Sequence, residues 1–386
     1  MKIPYNSKLA IIGDNDFATE ITKKLLEDQF YDVTCILTNK KDQKNILDLP
    51  IYYIEESKEL FNKLFDTILV LDDMPYQSEF YFDLHLNGFN KVYIMVKEST
   101  KLFNEKEIAE ESLQCYNLQE KPVLKYIEMH ITDQCNLKCK GCTHFSNLFT
   151  ENETNYENFC NDVNELSKRF NIPIIRLMGG EALLVKDLDK YLDFIREKFK
   201  ESKIFVVSNG LMVPYMSEKV ATSFIKNNIV LNMTVYKPTY EKIQYIEDFL
   251  KVKNIIYFYG QGHKNYSAND VIENFHTCLT ANNNREIKDS GYSKCYGKYC
   301  WMIRNGLIAK CCYPLLIYKL NEKYNMDFQV DSSDCYRLSE VNDSWGLVKN
   351  LSHAIPFCKY CSNQSIDFKW CGFVVEPNLK DFVKED

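Results

Sequence analysis

Three cysteines, Cys135, Cys139 and Cys142, form a C-x3-C-x2-C run inside Ile131–Ser146, directly after a strand-like segment, Lys125–Thr132. Thiolates this dense in one short loop converge on a single soft metal centre. Two kinds of centre are open to them. With His144 as a fourth ligand, the loop closes a tetrahedral zinc site. Without it, the loop offers three thiolates and one open coordination position. That suits a [4Fe–4S] cluster with an iron at which a small molecule binds.

Two further stretches follow in order. Met178-Gly179-Gly180-Glu181 ends the strand-like run Ile172–Leu177, and Val206-Val207-Ser208-Asn209-Gly210 ends the run Lys203–Ser208. In this order and spacing the three motifs resemble those of the radical S-adenosylmethionine (SAM) enzymes, over Tyr126–Gly260. The resemblance implies that Cys135, Cys139 and Cys142 bind three irons of a [4Fe–4S] cluster, whose fourth iron chelates the amino and carboxylate groups of SAM. It implies that Gly179, Gly180 and Glu181 hold the SAM amino group, and that Ser208 and Asn209 belong to the same pocket. The family's aromatic residue before the third cysteine is Gly141 here. His144 or Phe145 then has to meet the adenine.

Between residues 124 and 275 strand-like runs (Lys125–Thr132, Ile172–Leu177, Lys203–Ser208, Ile229–Val235, Asn254–Tyr259) alternate with helical ones (Tyr156–Phe170, Leu188–Lys198, Glu218–Lys226, Tyr240–Val252). The alternation predicts a partial (β/α)6 barrel, whose chemistry sits at the C-terminal ends of the strands. All three motifs fall there. Along the first strand Tyr126, Glu128, His130 and Thr132 share one face. Glu128 and His130 either move a proton at a substrate or satisfy each other and lumen water. Thr234 and Tyr236 end the fourth strand on one face, where they reach the SAM ribose or simply pack.

Residues 1–98 read as a Rossmann-like module with a parallel sheet: strands Lys8–Gly13, Asp32–Asn39, Phe65–Leu71 and Lys91–Lys97, and a helix over Phe17–Glu27. Its first turn, Gly13–Ala18, carries Asn15 where a dinucleotide site needs its second glycine, with Asp14 and Asp16 where phosphate would sit. A docking module and a nucleotide-binding module are both open. Residues 99–123 read as a linker with some helix around Asn104–Gln114.

Residues 276–386 hold nine of the fifteen cysteines. Asn305-Gly306, between two strand-like runs, is a type I′ hairpin signal. Counting outward from Arg304 opposite Leu307 sets Cys300 opposite Cys311 on one face. Cys358 and Cys361 follow as a C-x2-C pair. Together these resemble the auxiliary-cluster extensions called SPASM and twitch domains, with a single twitch-like cluster the better match. The resemblance implies a second [4Fe–4S] cluster on Cys300, Cys311, Cys358 and Cys361, with Cys295 the rival of Cys300. Four thiolates build a structural zinc site equally well.

The net charge of −7 and the dispersed Lys and Arg residues argue against nucleic acid as a partner. No apolar run approaches the ~18 residues of a membrane span. The start of the chain shows no signal-like apolar stretch, so the thiols read as reduced and cytoplasmic. The resemblance implies an oxygen-sensitive enzyme of oxidoreductase, isomerase or lyase type, with flavodoxin or ferredoxin as electron donor. A 5′-deoxyadenosyl radical would abstract hydrogen from a substrate C–H bond. The substrate is expected to be a sugar, polyol or nucleotide-linked sugar that is oxidised, dehydrated or epimerised. A peptide substrate is the alternative, and an iron–sulfur sensor without turnover the third.

Overall fold

The computed structural model describes residues 2–27, 30–40, 47–72, 79–97, 102–104, 107–260, 271–280, 291–295, 297 and 300–384. The chain divides into two compact units. The first comprises residues 1–125, 169–173 and 343–350, and the second residues 126–168, 174–342 and 351–386.

The first unit contains β1 (Lys8–Ile12), α1 (Asp16–Leu26), β2 (Asp32–Thr38), β3 (Ile51–Tyr53), β4 (Thr67–Asp72), α2 (Glu79–Leu86), β5 (Lys91–Val96), the short pair β6 (Phe103–Asn104) and β7 (Glu107–Ile108), and β8 (Leu113–Asn117). The sheet order is β3-β2-β1-β4-β5-β8, parallel except for β8. This is a doubly wound arrangement whose apolar strands pack against α1 through Phe17, Ile21 and Leu25. Residues 113–117, within the expected linker, form a strand of this sheet. In place of the expected helix stand a 3-10 turn at Glu110–Ser112 and β8, which closes the sheet edge. Residues 105 and 106 lie outside the described residues. In the first turn, the Asn15 side chain caps α1, accepting from the Ala18 N–H at 2.7 Å. Asp14 pairs with Lys40. The helix start is thus filled by the chain's own groups.

The second unit contains β9 (Tyr126–Thr132), α3 (Tyr156–Arg169), β10 (Ile174–Gly179), α4 (Leu188–Lys198), β11 (Lys203–Ser208), α5 (Glu218–Lys226), β12 (Val230–Met233), α6 (Lys237–Tyr240), α7 (Ile243–Val252), β13 (Tyr257–Tyr259), β14 (Asn274–Thr280), β15 (Met302–Arg304), β16 (Leu307–Ala309), α8 (Tyr313–Leu316), α9 (Tyr318–Tyr324), β17 (Cys335–Arg337), α10 (Ser344–Ser352, most of which falls in the first unit), β18 (Cys361–Lys369) and β19 (Val383–Lys384). Its main sheet runs β13-β12-β11-β10-β9-β15-β16-β17. β9 to β13 are parallel and joined by helices, as the alternation predicts. The sixth parallel strand is β15, which pairs with β9 (Met302↔Glu128). The cysteine-rich end therefore does not form a region apart. Its hairpin extends the sheet from β9 outward, and all seven residues of β9 are buried. A second sheet, β18-β14-β19, is built from the remaining C-terminal strands.

The hairpin has the expected register. Arg304 pairs with Leu307 and Met302 with Ala309. Asn305 (φ 50°) and Gly306 (φ 82°) both adopt the positive φ of a type I′ turn. The buried Asp162 of α3 accepts from the Gly306 N–H at 2.7 Å. Burial pushes its carboxyl up to about 7. Because the folded state keeps its proton to higher pH than the unfolded chain, stability falls between pH ~4 and ~7 and is flat above. Asp162→Asn keeps the acceptor and removes the titration. Its melting temperature, relative to the native chain, should therefore rise between pH 5 and pH 8, corresponding to a few kcal/mol at the upper end. Parallel melting curves across that range check this.

Among the described residues, no helix is long and apolar enough to cross a membrane.

Candidate metal and S-adenosylmethionine site

The site lies wholly in the second unit. The end of β10 is laced onto the end of β9 by backbone bonds, Gly180 N–H to Thr132 O (2.7 Å) and Glu181 N–H to Gln134 O (2.8 Å). This close approach explains the two glycines. A Cβ on Gly179 would sit 2.1 Å from Thr132 O, and one on Gly180 would sit 2.1 Å from Gln134 O. Gly179 also has φ +145°. Gly180→Ala is expected to cost about 3 kcal/mol or more by overpacking against backbone that cannot yield. A thermal melt and the SAM dissociation constant measure the loss together.

Glu181 is aimed by the third motif. Its Oε1 accepts from Ser208 Oγ (2.7 Å) and the Leu183 N–H (3.0 Å), and its Oε2 accepts from the Asn209 N–H (2.7 Å). Asn209 in turn donates to Asn136 Oδ1 in the cysteine loop (2.7 Å). Gly179, Gly180, Glu181, Ser208 and Asn209 thus meet beside the loop, with one acceptor position on Glu181 Oε2 left for an ammonium group. Burial raises the Glu181 carboxyl, and a cation bound there would restore its charge.

The three loop cysteines are free thiols. Burial, then each other's charge, pushes Cys139 up to about 12; burial and the nearby Cys142 push Cys135 up to about 11. Among the described residues, no three His, Cys, Asp or Glu side chains stand in a ready-made metal cage. The donor set is what fits. Three neighbouring soft thiols lack a disulfide partner, and a metal would supply the positive charge that deprotonates them. His144 is half-buried, its buried Nε2 has no hydrogen-bond partner, and its ring stacks 5.8 Å from His130. Burial pushes it down to about 3.

Gly141 (φ +64°) has a physical reason to lack a side chain. A Cβ there would meet Phe368 Cζ at 2.3 Å and Asp381 O at 2.7 Å. Phe368 of β18 fills the space beside Gly141. Phe145 is buried against Tyr313 and Phe382 and is spent on packing. Tyr236 caps the start of α6 and stacks on Trp370 with centroids 5.1 Å apart. Burial, then Cys139, Cys142, Cys135 and Glu181, raise its phenol, which places it beside the site. Thr234 donates its backbone N–H to Ser208 O (2.9 Å).

On β9, Glu128 accepts from Tyr126 Oη (2.6 Å) and bonds the Cys300 thiol. Burial holds it up at about 7. His130 Nε2 meets Asp133 Oδ1 at 2.7 Å, and Asp133 is gripped by the Arg304 guanidinium at 3.1–3.2 Å. The two residues are therefore not paired with one another. Asp133 and Arg304 are members of this network that the sequence alone does not single out, because they stand 171 residues apart and meet only through the β9–β15 pairing.

Of the second thiol set, Cys311 is close enough to Cys295 and Cys358 to feel their charge, and Cys300 feels Cys311 and Cys295. The Cys361 thiol donates a hydrogen bond to Cys278 and is near Cys311 and Cys295. Cys295 is thus near both Cys300 and Cys311. Cys278, alone in spacing, meets Cys361 because β14 and β18 pair antiparallel with Leu279 opposite Cys361. Its thiol is lowered to about 7 by the bond from Cys361.

Residues 126–255 match the family model of a 4Fe-4S single cluster domain. GTP 3′,8-cyclase of Aliarcobacter butzleri is 30% identical over 122 residues, covering 31% of this chain and 37% of the relative. GTP 3′,8-cyclase of Helicobacter pylori strain J99 is 23% identical over 252 residues, covering 62% and 76%. The chain spans about two fifths of the length of the first curated relatives it matches. A crystal structure of BtrN in complex with AdoMet and 2-DOIA superposes with a TM-score of 0.36 at 17% identity, covering 68% of this chain and 100% of that one. Over part of its length the chain is thus similar to a 4Fe-4S single cluster domain and to the GTP 3′,8-cyclases.

Proposed function

We propose that the protein is a radical SAM enzyme that abstracts hydrogen from a C–H bond of a small polar substrate. The observation that carries this reading is the convergence of the C-x3-C-x2-C loop with Glu181, itself aimed by Ser208 and Asn209. When bound, a [4Fe–4S] cluster at Cys135, Cys139 and Cys142 supplies the electron that cleaves SAM to a 5′-deoxyadenosyl radical. The chain's part is orientation and exclusion of water. Glu181 fixes the amino end of SAM, the 179–181 backbone lies flat against β9, and Tyr236 with Trp370 walls the site. Cys300, Cys311, Cys358 and Cys361, with Cys295 and Cys278 adjacent, hold a second [4Fe–4S] cluster that binds substrate or takes up its electron, or a structural zinc ion.

A sugar, polyol or nucleotide-linked substrate is favoured because the curated relatives are named for chemistry on GTP and because buried polar groups, Glu128 and the His130–Asp133–Arg304 network, line the first strand. The capped start of α1 supports a docking or structural role for the first unit. Anaerobic reconstitution, metal counting and incubation with dithionite and SAM test the reading. About eight irons per chain and 5′-deoxyadenosine are expected, four irons for each cluster. A fully loaded protein that forms no deoxyadenosine, alone or with a panel of sugars, nucleotides and peptides, overturns it in favour of a sensor. A peptide as the sole substrate that triggers turnover moves the substrate assignment.

A further inference from the structure

The C-terminal end of β18 leads into a strap that runs along the cysteine loop. The Lys140 N–H donates to Cys371 O (2.7 Å), the Phe373 N–H to Leu137 O (2.5 Å) and the Val374 N–H to Lys138 O (3.1 Å). Gly372 permits the approach, since a Cβ there would lie 3.2 Å from Leu137 O and 2.9 Å from the Trp370 ring. Trp370 opens the strap. Its backbone N–H is tied to Glu273 O (2.8 Å), beside the β14–β18 ladder, and its ring stacks on Tyr236 at an interplanar angle of 27°. So oriented, its indole Nε1–H donates to Cys139 Sγ at 3.2 Å, across 231 residues of sequence. An indole N–H can only donate, and the acceptor Cys139 is 7% exposed, so the bond is partly buried.

We infer that Trp370 is a positioning residue that sets the reduction potential of the cluster held by Cys139, through this N–H···S bond. The inference rests on the proposed cluster at the C-x3-C-x2-C loop. Reduction adds negative charge that spreads onto the ligating sulfurs. A donor aimed at one of them stabilises the reduced state more than the oxidised one, and hydrogen bonds to sulfur are among the levers that set iron–sulfur potentials. The donor comes from the C-terminal strap and not from the loop. Ease of reduction is therefore coupled to whether the strap is docked on residues 137–140. Tyr236, stacked on the same ring, links that docking to the wall of the proposed SAM pocket.

The test is an electron paramagnetic resonance redox titration of the reconstituted protein. The loop's cluster is identified as the signal that SAM perturbs. Trp370→Phe keeps the aromatic stack and removes the donor. Its midpoint should move to more negative potential. At a fixed poise the reduced-to-oxidised ratio falls about tenfold, equivalent to about 59 mV for a one-electron couple. Biosynthetic 5-fluorotryptophan, a stronger donor in an unaltered fold, should move the midpoint the opposite way, and this decides the matter where Trp370→Phe assembles poorly. An unchanged midpoint in either protein, with wild-type iron content and a SAM-perturbed signal, overturns the inference alone. A native protein with no SAM-perturbed signal overturns the proposed cluster and, with it, this inference.

Discussion

Replacing Cys139 with alanine leaves the reconstituted protein about four irons short and unable to form 5′-deoxyadenosine, because three thiolates are the minimum that holds one cubane with an open iron. The structure adds a second consequence. Cys139 Sγ is the acceptor of the Trp370 indole N–H. Its loss strands a part-buried donor, which costs about 1–3 kcal/mol, and loosens the strap over residues 137–140. Iron counting, deoxyadenosine chromatography and tryptophan emission should therefore change together in Cys139→Ala. Were the iron content unchanged, the loop would not be the cluster site.

Cys358→Ala is expected to remove the other metal while sparing SAM cleavage that is not coupled to substrate. Cys358 sits at the 3-10 turn Pro356–Tyr360, held by its N–H to Ile355 O (2.9 Å), and its thiol is raised by burial and by Cys295. It belongs to the second thiol set and touches none of the groups that aim Glu181. Loss of about four irons with deoxyadenosine formation retained marks an auxiliary cluster. Loss of one zinc with all iron retained marks a structural site. If neither metal changes, Cys358 is no ligand, and Cys278, already hydrogen-bonded to Cys361, takes its place in the set.

The candidate site is legible because its parts are local. Each motif is a strand end and the turn after it, and turn chemistry is written in neighbouring residues. Gly179 and Gly180 are required by a backbone approach that any barrel with this turn imposes. Asn305-Gly306 determines its hairpin register for the same reason, since only residues that tolerate positive φ make a type I′ turn. The helix expected around Asn104–Gln114 was misread because the segment's polar composition says nothing about an open sheet edge. Burial of Leu113 and Tyr116 on β5 decided it for a strand.

By itself, then, the sequence determined the thiolate loop, the glycine-acid and serine-asparagine turns, the alternation that builds two parallel sheets and the hairpin that carries Cys300 toward Cys311. Only the tertiary structure decided that β15 lies against β9, that Arg304 grips Asp133, that Cys278 meets Cys361, that Phe368 fills the space Gly141 vacates and that Trp370 donates to Cys139. These are pairings between segments more than 80 residues apart. Short-range propensity does not encode them. They follow from which faces of the finished strands must be buried and which buried donors and acceptors must find partners there.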